Sequence, residues 1–458
     1  MQSFAAGALS GDDRRVKQGA RDMSPTARIL LGLTAGFGIG VSASSLGLTK
    51  DHVSVATAEV VGGLWLDGLR MTILPLVFSL VITGVSSAAG LAAAGSVTRL
   101  SLILFTILLF AGAGLAIVVV PLLLDLSPTP AGAAEALRHT LGKVEDARAY
   151  LGIGPVLRSV VPTNVVNAAA SGAMLPVVFF ALVFGFAVSK VDEDQSFRLT
   201  EFFARLRDAM LVVVGWVLAI APVGVFALAF VVGEKTGLTA LGAFAHYLVV
   251  VIAMCLVAIV GAYVLAVVAG GAALGGFISA SAPAQAVAIS TQSSMASLPA
   301  MIRSCEESLE IPSDITAVTL PLAVVLFRIC GPVSTLTIAI YAAHVMGVSL
   351  GPTQLLAGAA VAVVMVFATA TGIPSQVLYM ASLTPILSAM GVPIDILGLL
   401  IAVEPFHDMF RTTANVTMDM SVTTMVARWA RARPPGTLSS IPDGDAATII
   451  LDLENPSS

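Results

Sequence analysis

The chain has 458 residues, 57% hydrophobic and 11% charged, with a mean hydropathy of +0.96 and a formal charge of −5. Soluble domains carry about 25% charged residues, so this composition excludes a soluble globular protein and indicates a chain that crosses a membrane many times. Nucleic acid is excluded as a partner, because no basic patch with interleaved aromatic residues occurs.

Residues 1–28 are polar, and the apolar run behind them has no A-x-A-like end. They read as a cytoplasmic segment before a first span, not as a cleaved leader. Spans are expected over 29–47, 60–86, 100–125, 166–189, 208–232 and 243–271, close to or above the roughly 20 residues needed to cross a bilayer. The polar insert 126–155 reads as an external loop or a half-buried excursion, and "SKVDEDQSFRLTEFFARLRD" (189–208) as a charged cytoplasmic loop. Residues 431–458 are rich in Pro, Gly, Ser and Asp and read as a disordered cytoplasmic tail. Arg14, Arg15, Lys17, Arg21 and Arg28 precede the first span; Arg428, Arg431 and Arg433 follow the last. The positive-inside rule then places both termini in the cytoplasm. Cys255, Cys305 and Cys330 have no metal-ligand spacing and read as buried thiols.

From residue 274 the texture changes. "GGFISASAPAQAVAISTQSSMASLPAMIRS" is interrupted by Ser293, Ser294, Ser297 and Pro299, and "LLAGAAVAVVMVFATATGIPSQVLYMASLTPILSAM" by Thr369, Thr371, Gly372 and Pro374. Each reads as two short helices meeting at a polar tip. Such breaks persist in a membrane only inside protein or beside water. A matched pair of them points to a transporter's binding site.

The last apolar segment opens with "EPFHDMFRTTANVTMD", residues 404–419. On a helix, Glu404, Asp408, Arg411, Asn415 and Asp419 fall in one stripe about 80° wide, with His407 and Thr412 beside it. Charges in a bilayer cost about 2.5–3.5 kcal/mol each on insertion scales, so this stripe must face protein, water, ligand or ions. One reading is a self-neutralising ion-pair network, with Asp408 and Arg411 paired at i,i+3. The other gives Arg411 a substrate carboxylate in a bidentate fork, Asp408 an amino group, and Asp419 a cation or proton.

"DMFRTTANVTMD" resembles the last-helix signature of the dicarboxylate/amino acid:cation symporters, the glutamate-transporter family. "SSMASLP" and "TGIPS" resemble that family's two hairpin tips. "LRMTILPLVFSLVITGVSS", "VVPTN", "MLPVVFFALVFGFA" and "APVGVFAL" are similar to further family segments in the same order, so the resemblance covers about 60–430. It implies an all-α polytopic membrane protein with inverted repeats, eight transmembrane helices, two re-entrant hairpins and a homotrimer in the cell (inner or plasma) membrane. Residues 29–273 would be mainly scaffold and trimerisation helices 1–6, with helices 3 and 6 moving with the transport domain. Residues 274–430 would be the core of that domain.

By motif position the resemblance implies that Asp408 binds the α-amino group and Arg411 the side-chain carboxylate. Thr412, Asn415, Ser293, Ser294 and Ile373 would complete the substrate site, and Gly372 and Pro374 would form the gate. Asp419 and Asn415 would belong to a sodium site, with Thr106 left from a polar cluster on the third helix. No organic cofactor is implied; the coupling ion would be Na⁺ or H⁺.

One departure stands out. Family members carry N-M-D-G-T in the seventh helix, and this chain has "LPLAVVLFRICGPVSTL". Without gaps, Phe327 and Ile329 take the Asn and Asp places; with a one-residue gap, Arg328 and Cys330 do. Losing a carboxylate and gaining a guanidinium weakens a Na⁺ site. Arg328 then stands in for a cation, or alternatively pairs with Asp419 or Glu404. Glu404 and His407 are the candidate proton carriers.

The expected function is symport of acidic amino acids or dicarboxylates by elevator-type alternating access, with sodium coupling reduced or replaced by protons. A transport-dead relative acting as ligand sensor or anion channel is the alternative. The partners implied are membrane lipid and a small anionic substrate (aspartate, glutamate or a C4-dicarboxylate), with aspartate or glutamate leading because the resemblance ties a retained Asp408 to amino-acid substrates. No H-E-x-x-H or G-x-S-x-G occurs, so an enzyme is not expected.

Overall fold

The computed structural model describes residues 25–45, 53–91, 96–129, 160–237, 239–369 and 375–431. The expectations for residues 1–24, most of the polar insert and the tail from 432 lie outside these. Among the described residues every regular element is helical.

Helices α1 (Pro25–Ser45), α2 (Val53–Leu91) and α3 (Ser96–Leu126) match the first three expected spans. The fourth is split into α4 (Val165–Ala170) and α5 (Met174–Val188) by a turn in which Gly172 takes φ +70°. The region 189–232 corrects the sequence reading twice. From Glu193 on, the charged stretch is not a loop but the whole first half of α6 (Glu193–Ala219). Glu193 and Asp194 sit favourably in its first turn, and Arg198–Asp194 (3.1 Å) and Arg205–Glu201 (2.5 Å) pair one turn apart. The expected span 208–232 is then broken at Ile220, where α7 (Ala221–Thr236) leaves at a bend of 52°. Pro222, in the first turn of α7, has no N–H to donate and clashes with the preceding turn.

α8 (Thr239–Val268) is followed by α9 (Leu274–Thr291) and α10 (Ser294–Glu307), which pack on each other as the first hairpin. The break falls at Gln292, which adopts a left-handed φ of 54°, and at Ser293, whose side chain caps α10 by accepting the N–H of Ala296. Ser297 and Pro299 lie inside α10 and do not interrupt it. α11 (Ser313–Leu326) and α12 (Cys330–Met346) are separated by an unwound Phe327–Ile329, an interruption that the sequence reading did not contain. Pro332 cannot donate to the carbonyl of Arg328, which takes the N–H of Gly331 at 2.7 Å instead.

α13 (Pro352–Ala368) and α14 (Ser375–Met390) pack together as the second hairpin. A 3₁₀ turn (Ile394–Ile396), the short α15 (Leu397–Leu400) and α16 (Glu404–Arg431) complete the chain. Among the described residues five helical stretches are long and apolar enough to cross a membrane, or six if α6 and α7 form one span. α16 is not among them, yet residues 412–427 are buried without exception. It packs on α8, α9, α10 and α11, and this is where the site lies.

The closest helix contact joins α1 to α7. Gly32, Gly36 and Gly40 lie one turn apart, and a Cβ added at each would come within 2.2–2.4 Å of the carbonyl oxygens of Pro222, Phe226 and Phe230. This is small-residue packing of the kind that joins helices in lipid.

Candidate functional site

A cavity of about 170 Å³ opens between the first hairpin tip, the α11–α12 break, the helices of the second hairpin and the middle of α16. Ser293 and Ser294 line it from the first hairpin, Arg328 and Ser334 from the break and α12, and Thr369 and Tyr379 from the second hairpin. α16 contributes Asp408, Arg411, Thr412 and Asn415. Six of the sequence-predicted residues that the structure describes in this region therefore share one cavity, together with Arg328. Gly372, Ile373 and Pro374 lie outside the described residues.

The α16 stripe is linked along its own helix. Arg411 donates from Nε to Asp408 Oδ1 at 2.9 Å, and from Nη2 to Asp408 Oδ1 at 2.5 Å and Glu404 Oε1 at 3.0 Å. Glu404 is fully buried, while the Arg411 side chain keeps 13% of its surface, on the cavity side. Thr412 donates to Asp408 Oδ1 at 3.3 Å. Asn415 accepts the backbone N–H of Cys330, the first residue of α12, at 2.9 Å. Gln292 reaches from the first tip to the carbonyl of Pro405 at 3.0 Å, fixing that tip to the start of α16.

Two expected residues lie behind the cavity wall. His407 is buried, with Nε2 2.7 Å from the hydroxyl of Ser334, itself a lining residue. Asp419 is also buried, and neither of its carboxylate oxygens has a hydrogen-bond partner among the described residues. A buried, unpaired carboxylate is costly, so Asp419 calls for a proton or a cation.

Arg328 pairs with neither Asp419 nor Glu404, which corrects the ion-pair alternative. Its Nη2 donates to the hydroxyl of Thr369 at 2.5 Å and to the Thr369 carbonyl, at the C-terminal end of α13. Helix C-termini carry unsatisfied carbonyls and partial negative charge, and a guanidinium satisfies both.

Thr106 is not brought to the cavity; its hydroxyl bonds Leu102 O at 2.8 Å within α3. Its neighbour Phe105 stacks on Phe327 with ring centroids 4.6 Å apart, so this wall of the α11–α12 break is apolar. Among the described residues no group of three or more His, Cys, Asp or Glu side chains is placed to hold a metal ion. Ser334 and Tyr379 were not anticipated. Ser334 follows the break by one turn, a position that mattered only once the break was known; Tyr379 carries no sequence signal.

The sequence is similar to those of known proteins. The model of the sodium:dicarboxylate symporter family matches residues 26–429. The proton/glutamate-aspartate symporter of Escherichia coli is 27% identical over 395 residues, covering 83% of this chain and 87% of that protein. The proton/sodium-glutamate symport protein of Bacillus caldotenax is 27% identical over 394 residues, covering 82% and 88%. The C4-dicarboxylate transport protein of Leptothrix cholodnii is 26% identical over 370 residues, covering 79% and 80%.

Proposed function

Because the chain belongs to the sodium:dicarboxylate symporter family, a family of multi-pass membrane transporters and not of enzymes, we propose that it is a secondary active symporter of acidic amino acids or dicarboxylates. Its sodium coupling is reduced or replaced by protons. The observation that carries this reading is the cavity shared by the first hairpin tip, the α11–α12 break and the α16 stripe.

In this reading Arg411 binds a substrate carboxylate. Thr412, Asn415, Ser293 and Ser294 hold a second polar end, and Asp408 receives an amino group where the substrate has one. Residues 274–430 move as the core of an elevator-type transport domain against a trimeric scaffold built mainly from 29–273, in the inner or plasma membrane. Both termini face the cytoplasm.

Two features favour weakened sodium coupling. Phe327 and Ile329 are buried apolar side chains at the break and offer no hard oxygen donor. Arg328, at the C-terminal carbonyl of α13, supplies positive charge where a bound cation would otherwise be needed. Asp419 keeps the capacity to take up one proton or one cation, with Glu404 and His407 as proton carriers beside the substrate site. The test is uptake of aspartate, glutamate and succinate into proteoliposomes under separately imposed Na⁺ and pH gradients. Accumulation driven by the pH gradient alone is expected; strict dependence on a Na⁺ gradient would overturn the coupling assignment.

A further inference from the structure

The charges lining the cavity are Asp408, Arg411 and Arg328. Asp408 and Arg411 neutralise each other across two short hydrogen bonds, and Glu404 engages Arg411 from beneath. Arg328 has no carboxylate within ion-pair distance among the described residues. The acidic groups whose charge reaches it, Asp408 and Asp419, act from farther away. A guanidinium carries five N–H donors, and the bonds found for Arg328 all leave from Nη2 toward Thr369. The remaining donors sit on a side chain that lines the cavity.

Two guanidinium groups thus border one small cavity. That arrangement matches a molecule with an anionic group at each end. It disfavours an ammonium group, which would meet the charge of Arg328. The group that would receive an ammonium, Asp408, already accepts two N–H groups from Arg411 and the hydroxyl of Thr412 on one oxygen.

We infer that Arg328 is a second anchor for an anionic group, so that the preferred cargo is a short dicarboxylate without an amino group, held between Arg328 and Arg411. This rests on the symport reading above and sharpens its substrate class.

The test is isothermal titration of the purified full-length protein with succinate, aspartate and butyrate, which differ in the amino group and in the second carboxylate. The wild type is expected to bind succinate at least about 10-fold more tightly than either of the others, the worth of one charge-assisted hydrogen bond. Arg328→Gln is expected to weaken succinate by about 10-fold or more and to remove most of the gap between succinate and butyrate. Arg328→Lys, which keeps the charge and loses the fork, should fall between them.

The inference is overturned if the wild type prefers aspartate, if Arg328→Gln leaves succinate affinity unchanged, or if it weakens all three ligands alike. Should both variants misfold, the wild-type ranking of the three ligands decides alone. A wild type that binds none of them and accumulates none in proteoliposomes defeats the symport reading itself. One that accumulates aspartate and ignores succinate defeats only the role given to Arg328.

Discussion

The side-chain oxygen of Asn415 accepts the backbone N–H of Cys330 at 2.9 Å, tying the middle of α16 to the first residue of α12. The bond satisfies a helix N-terminal donor that the break upstream leaves without an intrahelical partner. Replacing Asn415 by Leu strands that buried N–H, at a cost of about 1–3 kcal/mol. Asn415→Asp keeps an acceptor and is expected to retain more of the stability. Thermal unfolding in detergent, with both variants beside the wild type, measures the difference.

Arg411 holds the carboxylates of Glu404 and Asp408 together in a site with little solvent. Removing one partner of a buried ion pair leaves an uncompensated charge and costs about 3–5 kcal/mol. Arg411→Met should therefore unfold at a clearly lower temperature. Adding Glu404→Gln and Asp408→Asn to it should recover most of that loss, while substrate uptake stays absent in both proteins.

Asp419 stands apart from these pairs, buried with neither oxygen hydrogen-bonded among the described residues. Asp419→Asn replaces the carboxylate by a neutral amide of the same shape and is expected to leave the melting temperature unchanged or raised. If Asp419 carries the coupling ion, the variant should still exchange substrate across proteoliposomes. It should fail to concentrate substrate against a gradient. Wild-type accumulation by this variant would remove Asp419 from the coupling scheme.

Proton carriage is separable from binding. Glu404→Gln and His407→Gln are expected to reduce substrate-dependent acidification of the vesicle lumen, followed with a trapped pH-sensitive dye. Ser334→Ala removes only the hydroxyl 2.7 Å from His407 Nε2. It should cost about 1 kcal/mol of stability and leave proton entry in place, which distinguishes the carrier from its neighbour.

The glycine stripe of α1 makes a mechanical prediction. Gly36→Leu inserts a branched side chain where even a Cβ would lie 2.3 Å from the carbonyl oxygen of Phe226. The backbones must separate, with a penalty of about 1–3 kcal/mol or more. Leu at Gly38, where a Cβ meets nothing within 4 Å, is the control. Melting temperatures of the two variants should differ in that sense.

The parts of this fold legible in the sequence were those written in spacing. The α16 stripe needed only a helical period and the cost of charge in lipid, and both hairpins announced themselves as polar interruptions of apolar runs. Helix ends set by a single proline were harder to read. Pro222 divides α6 from α7, and Pro332 unwinds the turn at Arg328, but each lies in a run apolar enough to pass for one span. The helical start of α6 was hidden by its charge: pairs such as Arg205–Glu201 that stabilise an exposed helix look like a solvated loop when only hydropathy is weighed. The partner of Arg328 could not have been read at all. Sequence offered Asp419 and Glu404 because they are acidic, and the fold presented Thr369 because α13 ends there.

The pairing of Arg411 with Asp408 and Glu404 also bears on how the protein is made. All three residues belong to one helix, so their bonds form as soon as that helix coils and need nothing from the rest of the chain. α16 is synthesised after every other described helix, which means that the first hairpin reaches the membrane before the surface it packs on exists. The segment that would be hardest to insert is thereby partly neutralised before it arrives, and its arrival completes the site. A chain released by the ribosome before residue 404 would leave the first hairpin tip without the carbonyl of Pro405 that Gln292 holds, a species suited to recognition by membrane quality control.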